Sequence, residues 1–253
     1  MANPASSEEK PLPLAAPMLL SFVAGYVDSY TYLALFGLFA AQVTGSFVIA
    51  GAEFITHDYG IAGKLLAIIA FIASAAATTA LVMLARHTGR ATLAHMLALE
   101  AVLLAIFAGM ILFGPPIKDA RDWHGITAGL FAAAAMGTQS VLVRLLMKGI
   151  PQTNVMTGNM TQLGIAVTEL AVAWRKLAHS RHSPEDVRDF EHVRSQLLIV
   201  LSIAVGFLVG AASGAVAFVT TGLRGAVLAV VIVVALAIWA LLHERQARGT
   251  IPS

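Results

Sequence analysis

Two acids and one arginine stand inside long apolar stretches, and any chemistry would begin with them. Asp28 lies in the middle of the first such stretch. A carboxyl group at that depth in lipid is costly, so it is paired, protonated or turned toward other helices. Two readings are open. One is a proton- or cation-coupled site, or recognition of a polar substrate. The other is a structural aspartate that closes a helix kink with Ser29 or Thr31. Glu100 could share a proton with Asp28 or pair with Arg144; the plainer account sends its side chain to the headgroups. Arg144, followed by Lys148, fits a side chain that snorkels to the interface.

An uncharged polar set accompanies them. Gln139, Ser140, Asn159, Thr161 and Gln162 are its densest part. Thr157, Thr161 and Thr168 share one helical face, which could line a pathway or bind helices together. Thr44-Gly45-Ser46 with Gly51 matches Thr157-Gly158-Asn159 with Gly164. Gly frees the backbone, and the flanking hydroxyl or amide can satisfy orphan backbone groups. The motif therefore suits a helix start or break, or a polar turn between packed helices. Asp28, Thr44, Gly45, Ser46, Gln139, Thr157, Gly158, Asn159, Thr161 and Gln162 are the candidate pathway residues, with Glu100 and Arg144 as intramembrane charges. Glu53 and Glu169 read as helix-end residues near the interface.

The elements that must hold these groups follow from composition. Of 253 residues, 58% are hydrophobic and only 12% charged, too few charges to coat a soluble domain. The apolar residues fall in blocks of about 20, enough to span a hydrocarbon core as helices. Six spans are expected: Met18–Phe39, Leu65–Ala85, Leu93–Phe113, Gly125–Met147, Leu197–Val219 and Gly225–Leu242. Thr44–Ile55 and Thr157–Trp174, carrying the T-G motifs, are expected as two short half-helices, with re-entrant pieces or extra spans (eight crossings in all) as the alternatives. The predicted fold is all-α, a polytopic transmembrane bundle. Residues 1–17 form a disordered cytoplasmic tail, 18–243 one membrane domain and 244–253 a second tail. The repeat halves are 18–114 and 125–243, with a basic cytoplasmic loop at 175–194. Ser183-Pro184-Glu185-Asp186 predicts a short surface helix in that loop.

The halves also match at Gly25 and Gly37 against Gly137 and Gly149. Three crossings per half would make the repeat inverted, a design that places broken helices at a midplane site. With both termini in the cytoplasm, Lys64, Lys118, Arg121 and Arg224 fall outside, and the other basic residues inside. Gly206, Gly210 and Gly214 form a doubled G-x-x-x-G, with Ala70, Ser74 and Thr78 at the same spacing; both read as packing seams within the chain or in a homo-oligomer.

The Gly25-Tyr26-Val27-Asp28, Gln42-Val43-Thr44-Gly45-Ser46, Gly137-Thr138-Gln139-Ser140 and Val155-Met156-Thr157-Gly158-Asn159-Met160-Thr161 segments resemble the YoaK family of bacterial integral membrane proteins, a domain of unknown function. The resemblance covers about residues 17–242 and implies a six-span inner-membrane protein. It supplies no substrate. Ser46 departs from the family, which more often has Asn there; the second copy keeps Asn159.

A net charge of +2 gives nucleic-acid binding no support, and no cysteine excludes disulfides and thiolate chemistry. His179, His182 and His192 read as solvated loop residues rather than metal ligands. No metal, cofactor or enzymatic motif is expected. The partners expected are the lipid bilayer and a small polar solute. A transporter or permease is the leading expectation; a scaffold or partner-binding subunit is the alternative, and an intramembrane enzyme has the least support.

Overall fold

The computed structural model describes residues 14–56, 60–87, 93–179 and 183–249, with side chains as far as Gln246. Among these residues the chain is helical, without strands. The helices are α1 (Ala15–Ala34), α2 (Val43–Thr56), α3 (Ile61–His87), α4 (Leu93–Phe113), α5 (Trp123–Leu146), α6 (Met156–His179), α7 (Pro184–Thr221) and α8 (Val227–Gly249), the last two joined by the 3₁₀ turn Gly222–Ala226. Four stretches are long and apolar enough to cross a membrane: α3, α4, α5 and the run from Pro184 to Gln246 that holds α7 and α8. The second half of α1 carries Tyr26, Asp28, Ser29, Tyr30, Thr31 and Tyr32, so it is less apolar than these.

Several boundaries differ from expectation. Helix α1 already begins at Ala15, with Pro17 in its first turn, where a proline needs no amide partner. Residues 1–13 of the expected tail, and residues 250–253, lie outside the described residues. The first residues of the other expected tail continue α8 to Gly249. Within the expected loop 175–194, residues 175–179 and 184–194 are helical, while 180–182, including His182, lie outside the described residues. Helix α6 runs to His179 and so is no short half-helix, whereas α2 has 14 residues. Ser183 does cap a helix, its hydroxyl accepting from the Asp186 amide, but that helix continues for 38 residues. Nothing between Pro184 and Leu197 breaks it, because this segment holds neither glycine nor a second proline. Its first dozen residues extend α7 well past the start of α1, by roughly 20 Å at 1.5 Å per residue.

Small residues set the closest approaches. A Cβ on Gly206, Gly210 or Gly214 would overlap the carbonyl oxygens of Met18, Phe22 and Tyr26 in turn, so α7 and α1 run parallel in backbone contact. A Cβ on Gly25 would overlap the carbonyl oxygen of Phe207. Helices α3 and α5 repeat the pattern: a Cβ on Gly137 would overlap the Phe71 carbonyl, and the Ser74 hydroxyl donates to the Ala134 carbonyl at 2.6 Å. Thr138 bridges to Ser74 and Thr78 at 3.0 and 3.1 Å. Helix α5 also packs on α4, α4 on α8, α6 on α7 and α2 on α3. Phe22, Tyr26 and Tyr30 stack along α1, and the two tyrosine hydroxyls donate to carbonyls of the 3₁₀ turn.

Helices α1 and α5 are antiparallel. The Gln139 amide, near the end of α5, donates to the Leu20 carbonyl near the start of α1. At the opposite end, Gly129 lies against Leu35 and Leu38, just past α1. Both helices are followed by a glycine with positive φ, Gly37 at 82° and Gly149 at 78°, which turns the chain back toward the bundle.

Candidate functional site

The two returning loops define the candidate site. After α1 the chain reverses, and the Ala41 and Gln42 amides reach Asp28 Oδ1 at 2.6 and 3.4 Å. Asp28 lies about 9 Å back along α1 from its last residue, so the loop re-enters the bundle before α2 begins. Helix α2 then runs outward again. Near its end Glu53 Oε1 meets Lys64 Nζ at 2.6 Å, and the same ammonium donates to the Phe36 carbonyl at 3.4 Å. The Lys64 side chain is 2% exposed and that of Glu53 16%, so this pair is largely desolvated. Phe36 itself has φ of 54°, a conformation that non-glycine residues rarely adopt. Asp28 is buried, and its second oxygen has no hydrogen-bond partner among the described residues.

The loop after α5 does the same from the other end. The Asn154 amide donates to the Met136 carbonyl at 3.4 Å, about 15 Å back along α5. Gln139 Nε2 donates to Thr153 Oγ1 at 2.8 Å, and the Ser21 hydroxyl lies 2.9 Å from the Thr153 carbonyl and 2.8 Å from that of Ile203. Here the ties are uncharged, whereas the first loop is held by a carboxylate and an ion pair.

The third residue of each T-G motif has a matching role. Asn159 Nδ2 donates to the Gln152 carbonyl at 2.6 Å, and Ser46 Oγ approaches the Phe39 carbonyl at 3.5 Å, each reaching back seven residues. Both side chains are buried. The longer asparagine makes the short bond; serine at the equivalent place makes a long one. Thr44, Thr157, Gly158, Thr161 and Gln162 are exposed, and Gly45 is half-buried. Thr161 and Thr168 donate back to carbonyls within α6. The structure thus unites Gln139 with the second loop, and Asp28 with the first, but leaves the α6 threonines facing outward. An open cleft of about 400 Å³ beside Asn159 is lined by Gln152, Gly158, Gln162 and Gln196 among others, with no charged side chain.

Two expected pairings are absent. Glu100 is wholly buried, and neither of its oxygens is bonded among the described residues, so it joins neither Asp28 nor Arg144 nor the headgroups. Arg144 is exposed near the end of α5, away from that interior. The Asp28 side chain does not bond to Ser29 or Thr31 either; Thr31 Oγ1 donates to the Asp28 main-chain carbonyl instead.

A protein-family model matches residues 16–240; its description is "Protein of unknown function (DUF1275)". The chain belongs to this family. YoaK is a DUF1275 member, so the resemblance seen in the T-G and GYVD segments holds. No curated protein and no solved structure matches the chain. What these residues do in this family member must come from their geometry.

Sequence reasoning missed Ser21, Thr153 and Asn154, and gave Lys64 no role beyond a charge outside the membrane. Thr153 and Asn154 directly precede the second motif and could have been grouped with it. Lys64 and Glu53, opposite charges in neighbouring apolar segments, carried a readable signal.

Proposed function

We propose that this protein is an inner-membrane transporter or permease for a small polar solute. In this reading the chain crosses six times, as two inverted halves of three spans, with both termini in the cytoplasm. One observation carries the reading. The two loops come back into the bundle from opposite ends and meet α1 at Asp28 and at Ser21, two helical turns or about 10 Å apart. Antiparallel α1 and α5 support inverted halves. If α2 and α6 turn back without crossing, α1, α3 and α4 are the spans of one half, and α5, α7 and α8 those of the other. Parallel pairing of α1 with α7 and of α3 with α5 agrees with that count.

Non-helical backbone at membrane depth is tolerated where it is buried in protein or lines a cavity, and it is the usual place of a transporter's binding groups. The amide-lined cleft beside Asn159 suits an uncharged polar solute approaching from the cytoplasmic end. Asp28 supplies an ionisable group at mid-depth.

The test is flux. Proteoliposomes loaded with a bacterial small-metabolite extract are compared with protein-free vesicles and with vesicles holding Asp28→Asn. The wild type should release at least one polar compound selectively, and Asp28→Asn should lose that release while remaining folded. Wild-type vesicles that retain every compound as well as empty ones do would overturn the reading.

A further inference from the structure

We propose that Glu100 is an exchangeable proton-binding site at the centre of the membrane domain. It shares one face of α4 with Leu97, Leu104, Phe107 and Ile111, all buried. Its own exposure is 0%, and neither carboxyl oxygen has a hydrogen-bond partner among the described residues. Its depth follows from the helix directions. Helices α4 and α5 form an antiparallel hairpin, with His124 Nε2 2.9 Å from the Met110 carbonyl. Since α5 opposes α1, α4 runs parallel to α1. Phe107 meets Tyr30 edge-on at 6.3 Å. Two turns earlier on each helix, Glu100 is level with Val23, between Ser21 and Asp28. It therefore lies at the depth between the two returning loops.

The charged and titratable groups on neighbouring elements stand elsewhere. Helix α5 has His124 and Arg144 toward its ends, α8 has His243, Glu244 and Arg245 in its last turns, and the 3₁₀ turn has Arg224. Helix α1 offers Asp28, Tyr26 and Tyr30, and α4 itself has His95. None of them bonds to the Glu100 carboxyl. An ionised carboxylate without donors in such a place is far more costly than the neutral acid. The carboxyl therefore holds a proton on one oxygen, and that proton exchanges with water. This site needs no solute, so it stands or falls separately from the flux reading.

Infrared difference spectra of the purified protein, wild type minus Glu100→Gln, test it. At pH 7 the wild type should show the carbonyl stretch of a protonated carboxyl, absent from the variant and retained in Asp28→Asn. That band should shift to lower wavenumber after the buffer is exchanged into D2O, because an exchangeable proton is replaced by deuterium. Glu100→Gln should unfold within about 2 °C of the wild type. A missing band at pH 7 would overturn the proposal, as would one that does not shift in D2O. So would a fall in the melting temperature of more than about 5 °C, the mark of a lost ion pair.

Discussion

Gly210→Ala tests the backbone contact on which the arrangement of α1 depends. The added Cβ would overlap the Phe22 carbonyl oxygen and stand 2.8 Å from the Phe22 carbonyl carbon and Cα. Favourable carbon contacts lie at about 3.5–4.0 Å, so the two helices must separate by roughly 1 Å at this point. A gap of that size forfeits about a quarter to a half of the dispersion energy of the atoms it parts. Overpacking of this kind costs about 1–3 kcal/mol. The parting also strains the 2.8 Å approach of the Ser21 hydroxyl to the Ile203 carbonyl, worth about 1 kcal/mol. The total is about 2–4 kcal/mol, or roughly 5–15 °C in melting temperature for a protein of this size. Gly109→Ala is the control. It lies within α4, and a Cβ added there would have no neighbour within 4 Å, so alanine should stabilise slightly through helix propensity, by about 1 kcal/mol or less. Thermal unfolding in detergent, followed by tryptophan fluorescence, should move the two variants in opposite directions. Equal melting temperatures would refute the close approach of α1 and α7.

The other half makes the same demand, so Gly137→Ala should lower the melting temperature by a similar amount, read in the same assay. Lys64→Met leaves Glu53 buried without its cation and should cost about 3–5 kcal/mol; Lys64→Met with Glu53→Gln should recover part of that loss in a double-mutant cycle. Asn159→Ala removes a 2.6 Å bond and should destabilise by about 1–2 kcal/mol in chemical denaturation, whereas Ser46→Ala, losing a 3.5 Å contact, should stay within about 0.5 kcal/mol. The chain has no cysteine, so single cysteines report topology cleanly. A membrane-impermeant maleimide should label Lys118→Cys from the outside of cells and Arg188→Cys only after lysis; labelling of both from one side would contradict the six-span orientation.

Much was legible from composition and spacing alone. Long apolar blocks with few charges dictate helices, because a chain in lipid must satisfy its backbone internally. Glycines every four residues announce a close helix contact, since spacing by four keeps them on one face. The recurrence of Thr-Gly-Ser and Thr-Gly-Asn marked the two places where the chain restarts a helix. Ser183 followed by Pro184 marked a helix start as well, because capping is decided within one turn.

Partnership between distant residues was not legible, because it depends on which helices become neighbours. Ser21 meets Thr153 and Ile203 across most of the chain, and no local pattern encodes that meeting. Only the bundle showed that Asn159 and Ser46 reach back to loop carbonyls, that Lys64 has a partner, and that Glu100 has none among the described residues. Each of these outcomes turns on desolvation. A polar group leaves water at a depth set by the whole fold, and whether a partner waits there is decided in three dimensions.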